Sequence, residues 1–211
     1  MKDPIEQISK KTWSYWYVDG LVEIGAGAII FLIGLCYLLP AFLPPSPARA
    51  FLTALIIPII VFAGGWISRR LIRFIKERLT FPRTGYIRYR QPPRSRRWLR
   101  MGITILIAVF LSVLVTLLLR AVSRNLIPAI TGALLAVYAV YLAQRVGVNR
   151  FYAVAVCVFL IGILVSWLNL PESIDAAAFF GGVGLVWMIS GAAALIHYLR
   201  TTSPAPPEED V

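Results

Sequence analysis

Few side chains in this sequence can carry chemistry unaided. One histidine and two cysteines occur in 211 residues, and only 15% of the chain is charged. Cys36 and Cys157 both sit inside apolar runs, and neither has a Cys or His at metal-ligand spacing, so they read as buried free thiols acting as small hydrophobes. No HExxH is present for a zinc protease, no Walker A pattern for a nucleotide, and Gly25-x-Gly27 is too short for a dinucleotide fingerprint. Ser190 precedes His197 on one apolar run, but seven residues of helix rise about 10 Å, beyond the reach of a Ser–His pair. Asp19-Gly20 could open a CDP-alcohol phosphotransferase signature, but the later paired aspartates are missing. The expectation is a protein that is not an enzyme and needs no cofactor and no metal.

Hydrophobic residues make up 59% of the chain and mean hydropathy is +0.76, outside the range of soluble domains. About 20 helical residues cross the hydrocarbon of a bilayer. Six apolar segments approach that length: residues 21–43, 49–66, 98–119, 126–143, 151–168 and 176–199. Strand-like alternation is absent, so the fold class expected is all-α: a polytopic membrane protein with six transmembrane helices. The first run lacks a small-x-small cleavage site and is too long for a signal-peptide core, so it is expected to stay as the first span. No inverted repeat relates residues 21–119 to 126–199, which leaves a single membrane domain over residues 1–200. Residues 201–211, with three prolines and Glu208-Glu209-Asp210, read as a short disordered acidic tail.

The charge is concentrated in one place. Between Ser68 and Arg100 lie twelve Lys or Arg and one Glu, a local excess equal to the +11 of the whole chain. Six spans put both termini on one side, and the connections on that side hold eighteen basic residues against three, Arg49, Arg120 and Arg124, on the other. Cytoplasmic connections retain Lys and Arg, so the reading is N-in/C-in in the cytoplasmic membrane. Ahead of the first span, Asp3, Pro4 and Glu6 suit a helix start, and Trp13, Trp16 and their tyrosine neighbours suit the headgroup level, which together suggest a short interfacial helix. Pro44-Pro45-Ser46-Pro47 makes a tight outer turn between the first two spans, and Pro58 is expected to kink the second.

The second helix is expected to run past the membrane. Ile67, Leu71, Phe74, Ile75 and Leu79 recur at helical spacing, with Arg69, Arg70, Arg73, Lys76 and Arg78 between them. Pro82 ends that pattern, and an extended Tyr86–Arg90 stretch precedes a final arginine run. Arg73, Lys76, Arg78, Arg83, Tyr86, Arg88, Arg90, Arg94, Arg96 and Arg97 are the candidate contacts of this cytoplasmic loop, residues 68–97. Anionic membrane lipid is the first choice of partner, since each Lys or Arg near such a surface gains about 1 kcal/mol. A partner protein or homo-oligomer comes second. Nucleic acid comes last, because the interleaved Tyr and Arg lack any RRM, KH or OB pattern around them.

Asp19 and Glu23 stand one helical turn apart near the inner end of the first span. Ionisable groups at that depth are expensive to desolvate and are functional candidates by default. The same inner side carries Arg69 and Arg70 at the end of the second span, and His197 and Arg200 at the end of the sixth. These six residues form a candidate polar cluster with two readings: a structural set of ion pairs, or a substrate or proton site using Glu23 with His197. Small residues mark helix contacts instead. Ala177, Gly181, Gly184 and Gly191 share a face of the sixth helix, while Gly25, Gly27 and Gly34 thin the first, so these two helices are expected to pack together.

Tyr15-Trp16-Tyr17-Val18-Asp19-Gly20-Leu21-Val22-Glu23 and Thr80-Phe81-Pro82-Arg83-Thr84-Gly85-Tyr86 resemble a group of prokaryotic polytopic membrane proteins of no known activity, which pair a YW-x-x-DG-x-x-E first helix with a T-[YF]-P-R-T-G-Y loop. The resemblance covers about a fifth of the chain and implies six membrane helices and no reaction. It directs attention to Asp19, Glu23, Arg83 and Tyr86 on one membrane face. The function expected is accessory or scaffolding work at the membrane; the alternative is a small-solute transporter or channel with Glu23 and His197 near an inner vestibule.

Overall fold

A computed structural model describes residues 17–42, 46–76 and 123–202. Over these residues the chain is helical and contains no strand. The helices are α1 (Leu21–Phe42), α2 (Pro47–Ile75), α3 (Ile127–Val146, entered through a 3-10 turn Arg124–Leu126), α4 (Arg150–Leu168) and α5 (Glu172–Thr201). All five are long and apolar enough to cross a membrane. In hydrocarbon every backbone N–H and C=O must be paired within its own segment, which is why uninterrupted apolar runs of this length become helices. The expected third span (98–119), the pre-span helix, the tail beyond residue 202, and loop residues Arg78, Arg83, Tyr86, Arg88, Arg90, Arg94, Arg96 and Arg97 lie outside the described residues.

Local sequence explains most boundaries. Pro128 sits in the first turn of α3, where its missing N–H is harmless, and Gly147 closes that helix at φ 74° with its N–H on the Ala143 carbonyl. Asn169 takes the left-handed conformation at the end of α4, a role Asn fills more cheaply than other non-glycine residues. The second helix is longer than the apolar run that predicted it. It starts at Pro47, passes through Pro58 without interruption and continues to Ile75, carrying Arg69, Arg70 and Arg73 on its last two turns. The expected helical continuation is therefore present as far as Ile75, and its further part to Leu79 lies outside the described residues.

The helices associate in the order α2, α1, α5, α4, α3, with the α1–α5 and α3–α4 pairs the most extensive. Both pairs are antiparallel and both depend on glycine. A Cβ placed on Gly27 would lie 2.7 Å from the Gly184 carbonyl oxygen, and one on Gly34 would lie 2.5 Å from the Gly181 nitrogen. At α3–α4, a Cβ on Gly162 would come within 2.7 Å of the Pro128 carbonyl oxygen. Without a hydrophobic effect between helices in lipid, such backbone-to-backbone approach supplies the dispersion energy that holds them. The expected α1–α5 partnership is thus found, with one adjustment. Gly25 faces the other way, where its missing side chain admits Ser68 of α2.

Large side chains fill the space between α4 and α5. Phe151, Val154, Val158, Phe179, Val183 and Trp187 are buried there, and the Tyr17, Phe151 and Trp187 rings contact one another in series at 5.8 and 5.7 Å. From Leu55 to Ile75, by contrast, α2 has no buried residue. Along it Phe51, Ile59, Phe62 and Trp66 are each more than half exposed. Ions are sorted to the two ends of the bundle. Arg124 pairs with Glu172 at one end, both well exposed, while Asp19, Glu23, Lys76 and Arg150 gather at the other.

Candidate functional site

The approach to α1 is a tight turn written by Asp19-Gly20. The Asp19 carboxylate accepts the Leu21 backbone N–H at 3.2 Å, capping the helix start. Gly20 adopts φ +69°, and its backbone lies against Gly191 of α5 so closely that a Cβ would stand 2.2 Å from the Gly191 carbonyl oxygen. No other residue meets both demands. The turn brings Asp19 and, one turn on, Glu23 against three other helices.

Both carboxylates are fully buried, and each is matched by a cation from a different helix. The other carboxylate oxygen of Asp19 meets the Lys76 ammonium at 2.9 Å, with Lys76 itself only 3% exposed. Lys76 follows the last turn of α2, so this pair ties the start of α1 to the end of α2. Arg150, the first residue of α4, donates from Nε to both oxygens of Glu23 at 3.0 and 3.2 Å, and from Nη2 to Glu23 Oε1 and to the Tyr17 carbonyl. Ser190 of α5 donates its hydroxyl to Glu23 Oε2 at 3.0 Å. One carboxylate thereby joins α1, α4 and α5. The Tyr17 phenol beside it is pushed above its ordinary pKa by burial, with Tyr138 and then Glu23 adding to the effect, so it stays neutral.

Energetically these are clasps. A charge held at membrane depth without a partner costs several kcal/mol, and a bidentate guanidinium with an added hydroxyl offsets that for Glu23. Arg150 keeps 27% of its side chain exposed, so it carries less desolvation than the glutamate it serves. Glu23 is saturated as an acceptor, and Ser190 is committed to it. Among the described residues no group of three or more His, Cys, Asp or Glu is placed to hold a metal ion.

The six residues of the expected polar cluster are not brought together as a unit. Asp19 and Glu23 are at its centre, but His197 and Arg200 are exposed on the last turns of α5, and Arg69 and Arg70 are exposed on α2. Ser190 touches Glu23, and His197 lies seven residues further along α5, about 10 Å by helix rise. Arg70 stacks on Trp66, its guanidinium carbon 4.7 Å from the ring centroid. Lys76, read from sequence as a lipid-facing member of the basic loop, is instead buried against Asp19. Arg73 is exposed on the last turn of α2.

Sequence reasoning missed Arg150, Ser190 and Lys76 as partners. Topology had already put Arg150 and Lys76 on the same membrane face as Asp19, and a basic residue opening an apolar run is a usable signal. Ser190 gave none, since one hydroxyl on a small-residue stripe looks like packing. No family model matches this chain, and no curated protein or solved structure shows significant similarity to it.

Proposed function

We propose that this chain is a six-helix integral protein of the cytoplasmic membrane, with both termini in the cytoplasm, that works as an accessory or scaffolding subunit. In this reading its basic loop, residues 68–97, meets anionic lipid or a partner protein. The arrangement of ends supports six crossings. Lys76 lies with Asp19 at one end of the bundle, and Arg124 lies with Glu172 at the other, which agrees with the sequence expectation of one more span, over the apolar run 98–119. The end carrying Lys76 and Arg150 also holds Arg145 and Arg200, the side that charge asymmetry assigns to the cytoplasm.

The observation that carries the functional reading is the saturation of Glu23. A carboxylate serving a solute or proton path has to exchange partners with that path, yet here Arg150 and Ser190 occupy both oxygens. The α1–α5 seam beside it closes to backbone contact and offers no room for a solute. Affinity purification of the full chain from native membranes, followed by mass spectrometry of proteins and lipids, tests the proposal. The expected result is a reproducible partner protein or an enrichment of anionic lipid over bulk membrane. Solute or proton flux in proteoliposomes that disappears in Glu23→Gln, with thermal stability unchanged, would overturn it in favour of a carrier.

A further inference from the structure

α2 carries its exposed side chains in an order that matches one leaflet of a bilayer. Ile59, Phe62, Trp66, Arg70 and Arg73 follow one another at spacings of three or four residues, which places them within an arc of about 80° on one face. The first three are among the most exposed apolar residues described, at 59, 79 and 60%. Both arginines are exposed as well, and among the described residues no carboxylate pairs with either of them. From Ile59 to Arg70 the helix rises about 16 Å, close to half the thickness of a hydrocarbon core. Trp66 stands at the boundary between the two chemistries, where indole rings prefer to sit.

The headgroup end is built, not merely charged. Arg70 holds its guanidinium over the Trp66 ring, its central carbon 4.7 Å from the centroid, a cation–π contact that tethers the charge beside the indole. Arg73 is three residues further along the same face, so the two arginines are neighbours past Trp66. An open groove along this turn is lined by Trp66, Ile67, Arg70, Leu71, Arg73 and Phe74. Lys76, the next cation, is withdrawn into its pair with Asp19, so the site is distinct from the ion clasp.

We infer that this face of α2 is a binding site for one anionic phospholipid of the inner leaflet, its phosphate held by Arg70 and Arg73 and one acyl chain lying along Trp66, Phe62 and Ile59. The inference rests on the orientation proposed above, and it names lipid as the partner for this part of the basic segment. Guanidinium pairs suit phosphate by geometry as well as charge, and the apolar stripe requires a ligand with a tail.

The test uses the purified full chain offered equal amounts of phosphatidylglycerol and phosphatidylcholine with matched acyl chains, with retained lipid counted by native mass spectrometry. Wild type should retain phosphatidylglycerol selectively. The double variant R70Q/R73Q should lose that retention by roughly thirtyfold, the effect of removing two basic contacts to an anionic headgroup. W66L should lose part of it, R70K/R73K should keep more than R70Q/R73Q, and R200Q, which removes a charge from the same end of the bundle, should match wild type. Excess sn-glycerol 3-phosphate, a headgroup without a tail, should not displace the lipid. Thermal melting of each variant controls for folding, since these exposed positions should leave it unchanged. If R70Q/R73Q still prefers phosphatidylglycerol as wild type does, the α2 site is wrong while lipid contact by the loop stands. Equal retention of both lipids by wild type removes the site and the lipid-contact reading together. A dimer that dissociates in W66L would assign this face to a second copy, and also overturns the inference.

Discussion

Glu23 and Arg150 show how an ion pair can be asymmetric at the level of single residues. Glu23 has no exposure and three donor groups around it if the two guanidinium nitrogens and Ser190 are counted, whereas Arg150 retains a quarter of its surface. Removing the arginine strands a buried carboxylate, and removing the carboxylate leaves an arginine that can turn towards water. Arg150→Ala should therefore destabilise the folded protein by about 3–5 kcal/mol. Glu23→Gln, which keeps an acceptor for Ser190, should cost about 1–2 kcal/mol. Unfolding midpoints in detergent micelles measure both, and equal losses would show that the pair is not polarised in this way. The importance of Asp19 and Glu23 was legible from sequence, because charge in an apolar segment demands a reason. Their partners were not, since a hydropathy profile carries no information about which helix faces which. That is why His197 and Arg200 were reasonable expectations and Arg150 and Lys76 are the residues found.

Between helices, contact follows from what glycine lacks. α1 presents Gly27 and Gly34 to α5, and a side chain at either would meet backbone atoms that cannot move aside. Gly27→Leu should separate α1 from α5 and cost at least about 3 kcal/mol, beyond ordinary overpacking because the obstacle is main chain. Gly65, on α2, faces open space: a Cβ there would have no atom within 4 Å. Gly65→Leu should therefore be neutral or gain up to about 1 kcal/mol from helix propensity. Resistance of each variant to denaturation by increasing SDS compares the two, and similar losses would mean that the seam is not the source of stability. The stripe on α5 was readable as a contact face from spacing alone. That Gly25 serves α2 and not α5 was unreadable, because the side of a helix a small residue serves depends on where the neighbours stand.

For the whole molecule, the sorting of ions to two ends makes orientation testable. In a background with Cys36→Ser and Cys157→Ser, a cysteine at exposed Ser123 should react with an impermeant maleimide on intact cells, and one at exposed Asn149 should react only after lysis. The reverse pattern would invert the topology. That the apolar runs of the described residues form five helices long enough to cross a membrane is a property of composition along the chain, and the sequence by itself determined it: it depends on transferring residues one by one between water and hydrocarbon. The order α2, α1, α5, α4, α3, the burial of Lys76 and the clasp of Glu23 by Arg150 and Ser190 depend on close approach between residues up to 167 positions apart. Only tertiary structure decided those. Lipid makes every apolar face equally acceptable, so the choice of neighbour falls to backbone fit and to the pairing of a few buried charges.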